Sequence, residues 1–460
     1  MPNPSKPGDV IPEDVIKDLR KSEATKVKVA ITDIDGVLRG KVMHIDKFIS
    51  AVESGFGFCN VVFGWDVADV CLDNVAYTGW HSGYPDAKVN LDLSTYRRVP
   101  WDDNVPFFLG DFVDETDRPL PLCPRQLLKQ ILAQAEVAGL FPMIGVEFEW
   151  FNFRETPHTL AEKTGHSPEP LTPGMFGYSL HRSGLEHDYF NAIYDCMADF
   201  DVPIEGLHTE TGPGVYEAAI QAGEALETAD RAVLFKSGVK ELANRFGFVA
   251  SFMARWSDKL PGCSGHIHQS LRNADGVNLF HDADDSLRMS RTFRSYLAGQ
   301  MRCLPEILPL FAPTVNSYKR LVPGYWAPTS VTWGRDNRTV CVRVIPGSEK
   351  STRMELRVGG ADINPYLAVA AAIASGLYGI ENGLELEEPM VKGSGYDAPG
   401  APPLPRSLDE AAERMGKSKI ARELFGDCFV DHYVNTRRWE WREYQKAVTD
   451  WELKRYFEII

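Results

Sequence analysis

The chain has 460 residues, 44% hydrophobic and 25% charged, a composition typical of a globular protein of two or three domains. Its formal net charge of −15 argues against nucleic acid or an anionic membrane surface as the main partner. The sequence has no run of about 18 apolar residues, and the polar N-terminus lacks the apolar core of a secretory signal. We therefore expect a cytoplasmic protein. The eight cysteines form no CxxC pair and are expected to be reduced thiols.

Short strands and turns are predicted from about Lys26 to Asp114, beginning with an alternating strand at residues 27–33 and a turn at Asp35-Gly36. A proline-rich crossing near residue 119 marks the predicted domain boundary. The predicted divisions are a polar segment over 1–25, a first domain over 26–118 and a second over 119–460. Helices are predicted at residues 125–138, 188–200, 224–246 and 362–382, and surface loops at 154–172 and 391–404.

Three separated segments place polar side chains two residues apart in a strand-like context, which puts them on one face of each strand. They are Glu147 and Glu149; His266 and His268; and Arg353, Glu355 and Arg357. A fourth segment differs, because Glu210 and Glu217 bracket the turn Thr-Gly-Pro-Gly-Val-Tyr.

Each of these segments alone is consistent with a half-exposed strand or turn whose polar groups are solvated. Their flanks, however, are apolar or rich in glycine, where unpaired charges are costly to bury. Converging carboxylates and imidazoles repel or neutralise one another unless a cation lies between them. Oxygen and nitrogen ligands suit Mg²⁺ or Mn²⁺, whereas zinc more often recruits cysteine. The pattern therefore indicates a divalent-metal site.

A second group of side chains is basic. It comprises Arg320, Arg335, Arg338, Arg343, Lys350, Arg353 and Arg357. A solvated basic surface would give the same pattern, but Trp326 and Trp333 interrupt it. Arginine forks match the geometry of phosphate and carboxylate. Metals combined with arginines indicate phosphoryl transfer, in which catalysis is mostly positioning and charge neutralisation.

These segments, in this order, resemble glutamine synthetase, and the resemblance extends from about Val27 to the C-terminus. The most specific stretches are Asn316-Ser-Tyr-Lys-Arg-Leu-Val-Pro-Gly324, Arg353-Met-Glu-Leu-Arg357 and Ala361-Asp-Ile-Asn-Pro-Tyr-Leu367. Residues 210–217 and 262–271 resemble two further motifs of the family. Residues 33–41 resemble the N-terminal β-grasp domain of the subgroup that acts on amines larger than ammonia.

The resemblance implies an α+β fold, with an N-terminal β-grasp domain and a larger glutamine-synthetase-type α/β catalytic domain. It also implies hexameric rings stacked into a dodecamer, with each active site between the small domain of one subunit and the large domain of its neighbour. Glutamate, ATP and a small amine would be the substrates, and two or more Mg²⁺ or Mn²⁺ ions would bind at each site.

The same resemblance implies roles for individual residues, motif by motif. One divalent ion would be held by Glu149, Glu210 and Glu217, and the other by Glu147, His266 and Glu355. Positions that contact ATP in the family match His268, Ser270, Arg343, Lys350 and Arg353. Gly262, Arg320 and Arg357 match positions that hold glutamate. Arg338 matches the arginine that neutralises the transferring phosphoryl group.

The chain departs from the family at its ammonium site. Ammonia-using members carry Pro-Gly-Tyr-Glu-Ala-Pro, whose glutamate helps to bind and deprotonate ammonium, and this chain has Trp326 there. Trp326 cannot accept a proton, but it offers an apolar wall and a π face. The motif Phe-Asp-Gly-Ser-Ser is also absent, and the nearby Asp66 could replace its carboxylate or serve in a turn. Val215 replaces a glutamine of the family motif at residues 210–217.

The loop that carries the adenylylated tyrosine in many bacterial enzymes is missing after residue 383, so we do not expect regulation by adenylylation.

Retained metal, ATP and glutamate positions together with lost ammonium positions favour a changed nucleophile. We therefore expect an ATP-dependent ligase that joins the γ-carboxylate of glutamate to an organic amine through γ-glutamyl phosphate, as in amine catabolism. Phe63, Trp65, Trp326 and Trp333 favour an amine with an apolar part, although aromatic residues also fill cores. The alternatives are an ordinary glutamine synthetase that uses ammonia, a non-catalytic structural relative and a ligase with a different acid substrate.

Overall fold

The computed structural model describes residues 12–163 and 167–460. In these residues the strands are β1 (Lys26–Thr32), β2 (Leu38–His44), β3 (Phe56–Cys59), β4 (Asp86–Val99), β5 (Val105–Val113), β6 (Phe141–Phe153), β7 (Ile204–Thr209), β8 (Val215–Glu224), β9 (Val249–Ser251), β10 (Gly265–Arg272), β11 (Trp333–Arg335), β12 (Val342–Ile345) and β13 (Arg353–Leu356). The helices are α1 (Pro12–Lys21), α2 (Ile45–Ser54), α3 (Pro124–Val137), α4 (Pro157–Glu162), α5 (Leu180–Leu185), α6 (His187–Asp199), α7 (Ala225–Arg245), α8 (Arg291–Ile307), α9 (Ser317–Arg320), α10 (Pro365–Glu381), α11 (Leu408–Lys417), α12 (Lys419–Phe425), α13 (Asp427–Gln445) and α14 (Asp450–Tyr456).

The first five strands form one mixed sheet in the order β2-β1-β5-β4-β3. Strands β1 and β5 run parallel, and the other pairs are antiparallel. Helix α2 packs against this sheet through Phe48, whose ring lies 4.6 Å from that of Phe108. The predicted turn after β1 is present, and Gly36 adopts a φ of 82° that favours glycine. The α+β fold class with its N-terminal sheet domain is confirmed.

The larger sheet has the order β11-β12-β13-β10-β6-β8-β7, with β9 also paired to β6. Only β11 and β12 run parallel among these described pairs. Helix α10 contacts α3, α7 and α8 and is buried almost all round. Its run of alanines, Ala370–Ala372, lets these helices pack closely, and Asn364 caps its first turn. The main core therefore lies in the second domain, around β6 and α10.

The turn after β1 packs against the second domain. Arg437 of α13 is buried and binds the Asp35 carboxylate while donating to the Pro313 carbonyl at 2.6 Å. Asn364 Nδ2 donates to the carbonyls of Asp33 and Ile34, at 3.3 and 3.2 Å. The two domains thus share a buried polar contact.

The four predicted helices correspond to α3, α6, α7 and α10, within three residues at each end. The predicted loop over residues 154–172 contains α4, and its residues 164–166 lie outside the described residues. Part of the predicted polar segment over 1–25 also lies outside them, and the rest includes α1. The boundary near residue 119 stays a prediction. Among the described residues, no helix is long and apolar enough to cross a membrane.

Candidate active site

Strand register brings the predicted carboxylates and imidazoles to one part of the larger sheet. His266 of β10 pairs with Glu147 of β6, and Glu149 pairs with Glu217 of β8. On the other side of β10, His268 pairs with Glu355 of β13. Since alternate residues of each strand share a face, these side chains meet over the sheet.

The first cluster gathers Glu147, Glu355, His266 and His268. His266 Nδ1 lies 3.4 Å from Glu147 Oε2 and 3.3 Å from Glu355 Oε1, and His268 Nε2 lies 3.0 Å from Glu147 Oε1. Burial opposes ionisation of both carboxylates. The imidazoles nevertheless hold the pKa of Glu147 well below its usual range, and His266 with Arg357 lowers the pKa of Glu355 to about 2. Both carboxylates are therefore anionic at neutral pH.

The second cluster gathers Glu149, Glu210 and Glu217. Glu149 Oε2 accepts a hydrogen bond from the Ser264 backbone at 2.6 Å. Burial, followed by the charge of Glu217, raises the pKa of Glu149 to about 8. A cation between these carboxylates would offset that shift, because it favours their ionised forms.

His208 also belongs to the second cluster and was not predicted from the sequence. One ligand atom from each of His208, Glu210 and Glu217 lies within 4.8 Å of the others. The Tyr178 ring stacks on the imidazole at 4.5 Å, which adds a second unpredicted residue. Burial opposes the charged imidazole, but contact with Glu217 outweighs it and raises the pKa of His208 to about 9. Alternation along β7 was the available signal, because His208 lies two residues before Glu210.

Both clusters open into one cavity of about 590 Å³. Arg338, Arg343 and Arg357 also line it. Arg343 Nη1 donates to Glu355 Oε2 at 2.9 Å, and Arg357 binds the other oxygen of that carboxylate. A cavity lined by carboxylates and arginines can hold two anionic substrates close together only if their charges are neutralised.

The positions matched to glutamate binding occupy two layers. Gly262 and Arg357 line the cavity, whereas Arg320 is buried and does not. Arg320 donates to Ser264 Oγ at 3.2 Å and to the Gly359 carbonyl at 2.7 Å. A Cβ atom at Gly262 would lie 2.7 Å from Arg320 Cγ, so glycine is required for this packing. A direct contact between Arg320 and substrate stays a prediction.

The positions matched to ATP binding lie along β10, β12 and β13. Arg353 Nε donates to His268 Nδ1 at 3.2 Å, which joins this group to the first cluster. Ser270 lies two residues farther along β10, and Lys350 lies in the turn before β13. Their roles in nucleotide binding stay predictions.

Asp66 does not line the cavity of its own chain. Its Oδ1 accepts hydrogen bonds from the backbones of Ala68 and Val70, at 2.9 and 3.0 Å, and its Oδ2 accepts one from Trp439 at 3.1 Å. Asp66 therefore has the turn role considered from the sequence. A catalytic role would require it to reach the site of another subunit, and that role stays a prediction.

The aromatic residues cited for an apolar amine do not form one group. Trp326 lines the cavity, with 56% of its surface exposed. Phe63 is buried against Tyr77 and Phe112 in the first domain, and Trp333 is a buried core residue whose Nε1 donates to the Glu388 carbonyl at 2.7 Å. The inference from Phe63 and Trp333 was therefore wrong, because both pack inside the protein.

The two clusters fit divalent cations. Glu210 Oε2 and His266 Nε2 are buried without a hydrogen-bond partner among the described residues. Unpartnered buried acceptors are costly, and a metal ion would satisfy them. The donor set of carboxylates and imidazoles without cysteine suits Mg²⁺ or Mn²⁺.

Comparisons with known proteins agree with this geometry. The family model for the glutamine synthetase catalytic domain matches residues 121–456. The type-1 glutamine synthetase 2 of Dictyostelium discoideum is 51% identical over 450 residues, covering 97% of this chain and 86% of that protein. A glutamate–isopropylamine ligase from a Pseudomonas species is 36% identical over 444 residues, covering 96% and 97%.

A solved structure of a GmaS/ADP complex has the same fold. Its TM-score is 0.85 at 28% identity, over 97% of this chain and 99% of that one. The family match and these relatives, together with the site, lead to one conclusion: this chain belongs to the glutamine synthetase family and is a carbon–nitrogen-bond-forming ligase.

Proposed function

We propose that this ligase joins the γ-carboxylate of glutamate to an organic amine, with ATP as co-substrate, giving a γ-glutamyl amide, ADP and phosphate. The observation that carries the proposal is Trp326. This residue lines the same cavity as the two carboxylate clusters, at the position where the resemblance puts the ammonium-binding glutamate. The likeness to a glutamate–isopropylamine ligase supports the same nucleophile class.

In the proposed reaction, a carboxylate oxygen of glutamate attacks the γ-phosphorus of ATP, and ADP leaves. The amine nitrogen then forms a bond to the acyl carbon, the bond from that carbon to the phosphate oxygen breaks, and phosphate leaves with the electron pair. The nitrogen loses a proton to a base or to solvent. Arg338, Arg343 and Arg357 line the cavity and would orient and neutralise the anionic groups. Mg²⁺ or Mn²⁺ held by Glu147, His266 and Glu355, and by Glu149, Glu210 and Glu217, would supply Lewis-acid charge neutralisation.

A second candidate function is ordinary glutamine synthesis from ammonia. It is favoured by the 51% identity to a protein named type-1 glutamine synthetase 2. His208 and the carboxylates around it leave polar groups near the cavity even without the missing glutamate. Nucleophile choice is therefore the question that an assay must answer.

The test is phosphate release from purified protein with ATP, Mg²⁺, glutamate and a panel containing ammonium, isopropylamine, ethanolamine, putrescine and benzylamine. Mass spectrometry of the products would identify the amide. The proposal expects a kcat/KM for at least one organic amine well above that for ammonium. Robust turnover with ammonium alone would support glutamine synthetase instead. The Glu147→Gln variant gives the background rate, because it removes a proposed metal ligand.

We further propose that the protein assembles as two stacked hexameric rings, so that a neighbouring subunit's first domain completes each site. The resemblance to the family supports this assembly, and a catalytic role for Asp66, which does not line its own chain's cavity, would require it. Light scattering should then give a particle of twelve 51.4-kDa subunits. An active monomer would contradict this assembly.

A further inference from the structure

A second cavity of about 550 Å³, here called the outer cavity, adjoins the candidate active site. Trp326 and Arg338 line both cavities, so their side chains form the border between them. Trp326 has a φ of 62°, a left-handed conformation that is uncommon for an aromatic residue.

The rest of the outer cavity is formed by two loops, residues 335–338 and 390–393. Hydrogen bonds join these loops and the segments next to them. Asn337 Nδ2 donates to the Gly393 carbonyl at 2.8 Å, and Thr339 Oγ1 accepts from the Gly395 backbone at 2.7 Å. The Val391 backbone donates to the Trp333 carbonyl at 2.9 Å. The two loops therefore form a hydrogen-bonded wall of the outer cavity, beside the active site.

The outer cavity carries an excess of positive charge. Arg335, Arg338 and Lys392 line it, and in the described part of the chain none of the three makes an ion pair. Among the described residues of the wall, the one carboxylate belongs to Asp336, which accepts two hydrogen bonds from Arg343, at 2.9 and 2.6 Å. Three unpaired cations are notable in a chain whose net charge is −15. They favour an anionic group in the cavity.

The wall also has an apolar part, formed by Trp326, Met390 and Val391. An amine whose nitrogen lies in the active site and whose carbon chain passes the indole would reach the outer cavity. There its far end would meet the cations. A second ammonium group at that end would be repelled, whereas a carboxylate would be attracted.

We infer that the preferred nucleophile is a primary amine with a short apolar chain that ends in an anionic group such as a carboxylate. This inference rests on the proposed function, and it names the chemical class of the amine. Lys392 and Arg335 are then specificity determinants that contact the far end of the amine, while Trp326 contacts its chain.

The test compares three amines of similar length: 4-aminobutyrate, butylamine and 1,4-diaminobutane. The inference expects kcat/KM to fall in that order, with about a tenfold advantage of 4-aminobutyrate over the diamine. Lys392→Glu should reverse the preference between these two, and Lys392→Gln and Arg335→Gln should weaken it. Lys419→Glu is the matched control, because Lys419 is an exposed lysine at the start of α12.

Equal or better use of the diamine, or a preference unchanged by Lys392→Glu, would overturn the inference. So would an increase in the KM for ATP of similar size with all three amines, since the cations would then serve the nucleotide. If butylamine is the best substrate, the anionic end group is not preferred and this inference fails, but the proposed organic-amine function stands. If ammonium alone is used, the proposed function itself fails.

Discussion

His266 of β10 lies directly opposite Glu147 of β6, with its Nδ1 atom 3.4 Å from a carboxylate oxygen. The same nitrogen lies 3.3 Å from Glu355 of β13. Three adjacent strands thus contribute one side chain each to one point. Because strand register sets this contact, we expect a conservative substitution of one of these side chains to change the cluster and leave the strand pairing in place.

Glu355→Gln should lower kcat/KM at least about 100-fold, because it removes the charge of a candidate metal ligand that also binds Arg343 and Arg357. The measurement is the initial rate over a range of Mg²⁺ concentrations, with circular dichroism as the folding control. Glu349→Gln, in the exposed turn before β13, is the matched variant and should behave as wild type. A near-normal rate for Glu355→Gln would contradict the assignment of the first cluster.

Metal binding should release protons near neutral pH. The pKa of Glu149 is raised to about 8 by burial and by Glu217, so its carboxyl is mostly protonated at pH 7 without metal. A divalent cation displaces that proton, and this part of the release should fade above pH 8. His208, whose pKa is about 9, can release a second proton from the same cluster. Calorimetric titration with Mn²⁺ at pH 7, in two buffers of different ionisation enthalpy, measures it. Heats that do not depend on the buffer, or release at pH 7 that is undiminished in Glu149→Gln, would show that Glu149 is not a source.

Trp326→Glu should raise the use of ammonium relative to the organic amine by about tenfold or more, because it restores a carboxylate for cation binding and proton removal. Steady-state rates with both nucleophiles give the ratio. Trp326→Gln separates the loss of the indole from the gain of a base. If ammonium turnover stays at background in a folded Trp326→Glu protein, Trp326 does not determine selectivity.

His432 should make stability sensitive to acid. Burial, followed by the charge of Arg437, lowers its pKa from 6.5 to about 4. Between these values the unfolded chain binds a proton that the folded protein does not, so stability falls as pH drops from 6.5 toward 4. At pH 5 the loss from this residue is about 2 kcal/mol.

The measurement is the apparent melting temperature of wild type and His432→Gln at pH 7.5 and pH 5, at one protein concentration. The variant should lose less on acidification. His187→Gln, an exposed histidine, should change like wild type. Identical acid sensitivity of wild type and His432→Gln would rule out His432 as a contributor.

The local spacing of polar residues in the sequence predicts much of this site. The site residues that it does not predict depend on contacts between distant parts of the chain. The two-residue spacing of Glu147 and Glu149 sufficed to predict a strand with both carboxylates on one face, and β6 has this form. The register between β6, β10 and β8 cannot be predicted from any single segment, because it depends on pairing between strands that are distant in the sequence. Tyr178 illustrates the difference, because it comes from an irregular segment and reaches His208 only through the folded chain.

The buried contact between Arg437 and Asp35 joins halves of the chain that are 402 residues apart. A second domain produced without the first would lose the Asp35 counter-charge of Arg437 and leave a surface that is buried in the whole chain exposed to water. The first domain would likewise expose the turn that ends in Gly36. Separating the two domains would therefore destabilise both, and we expect neither to be as stable alone as it is in the whole chain.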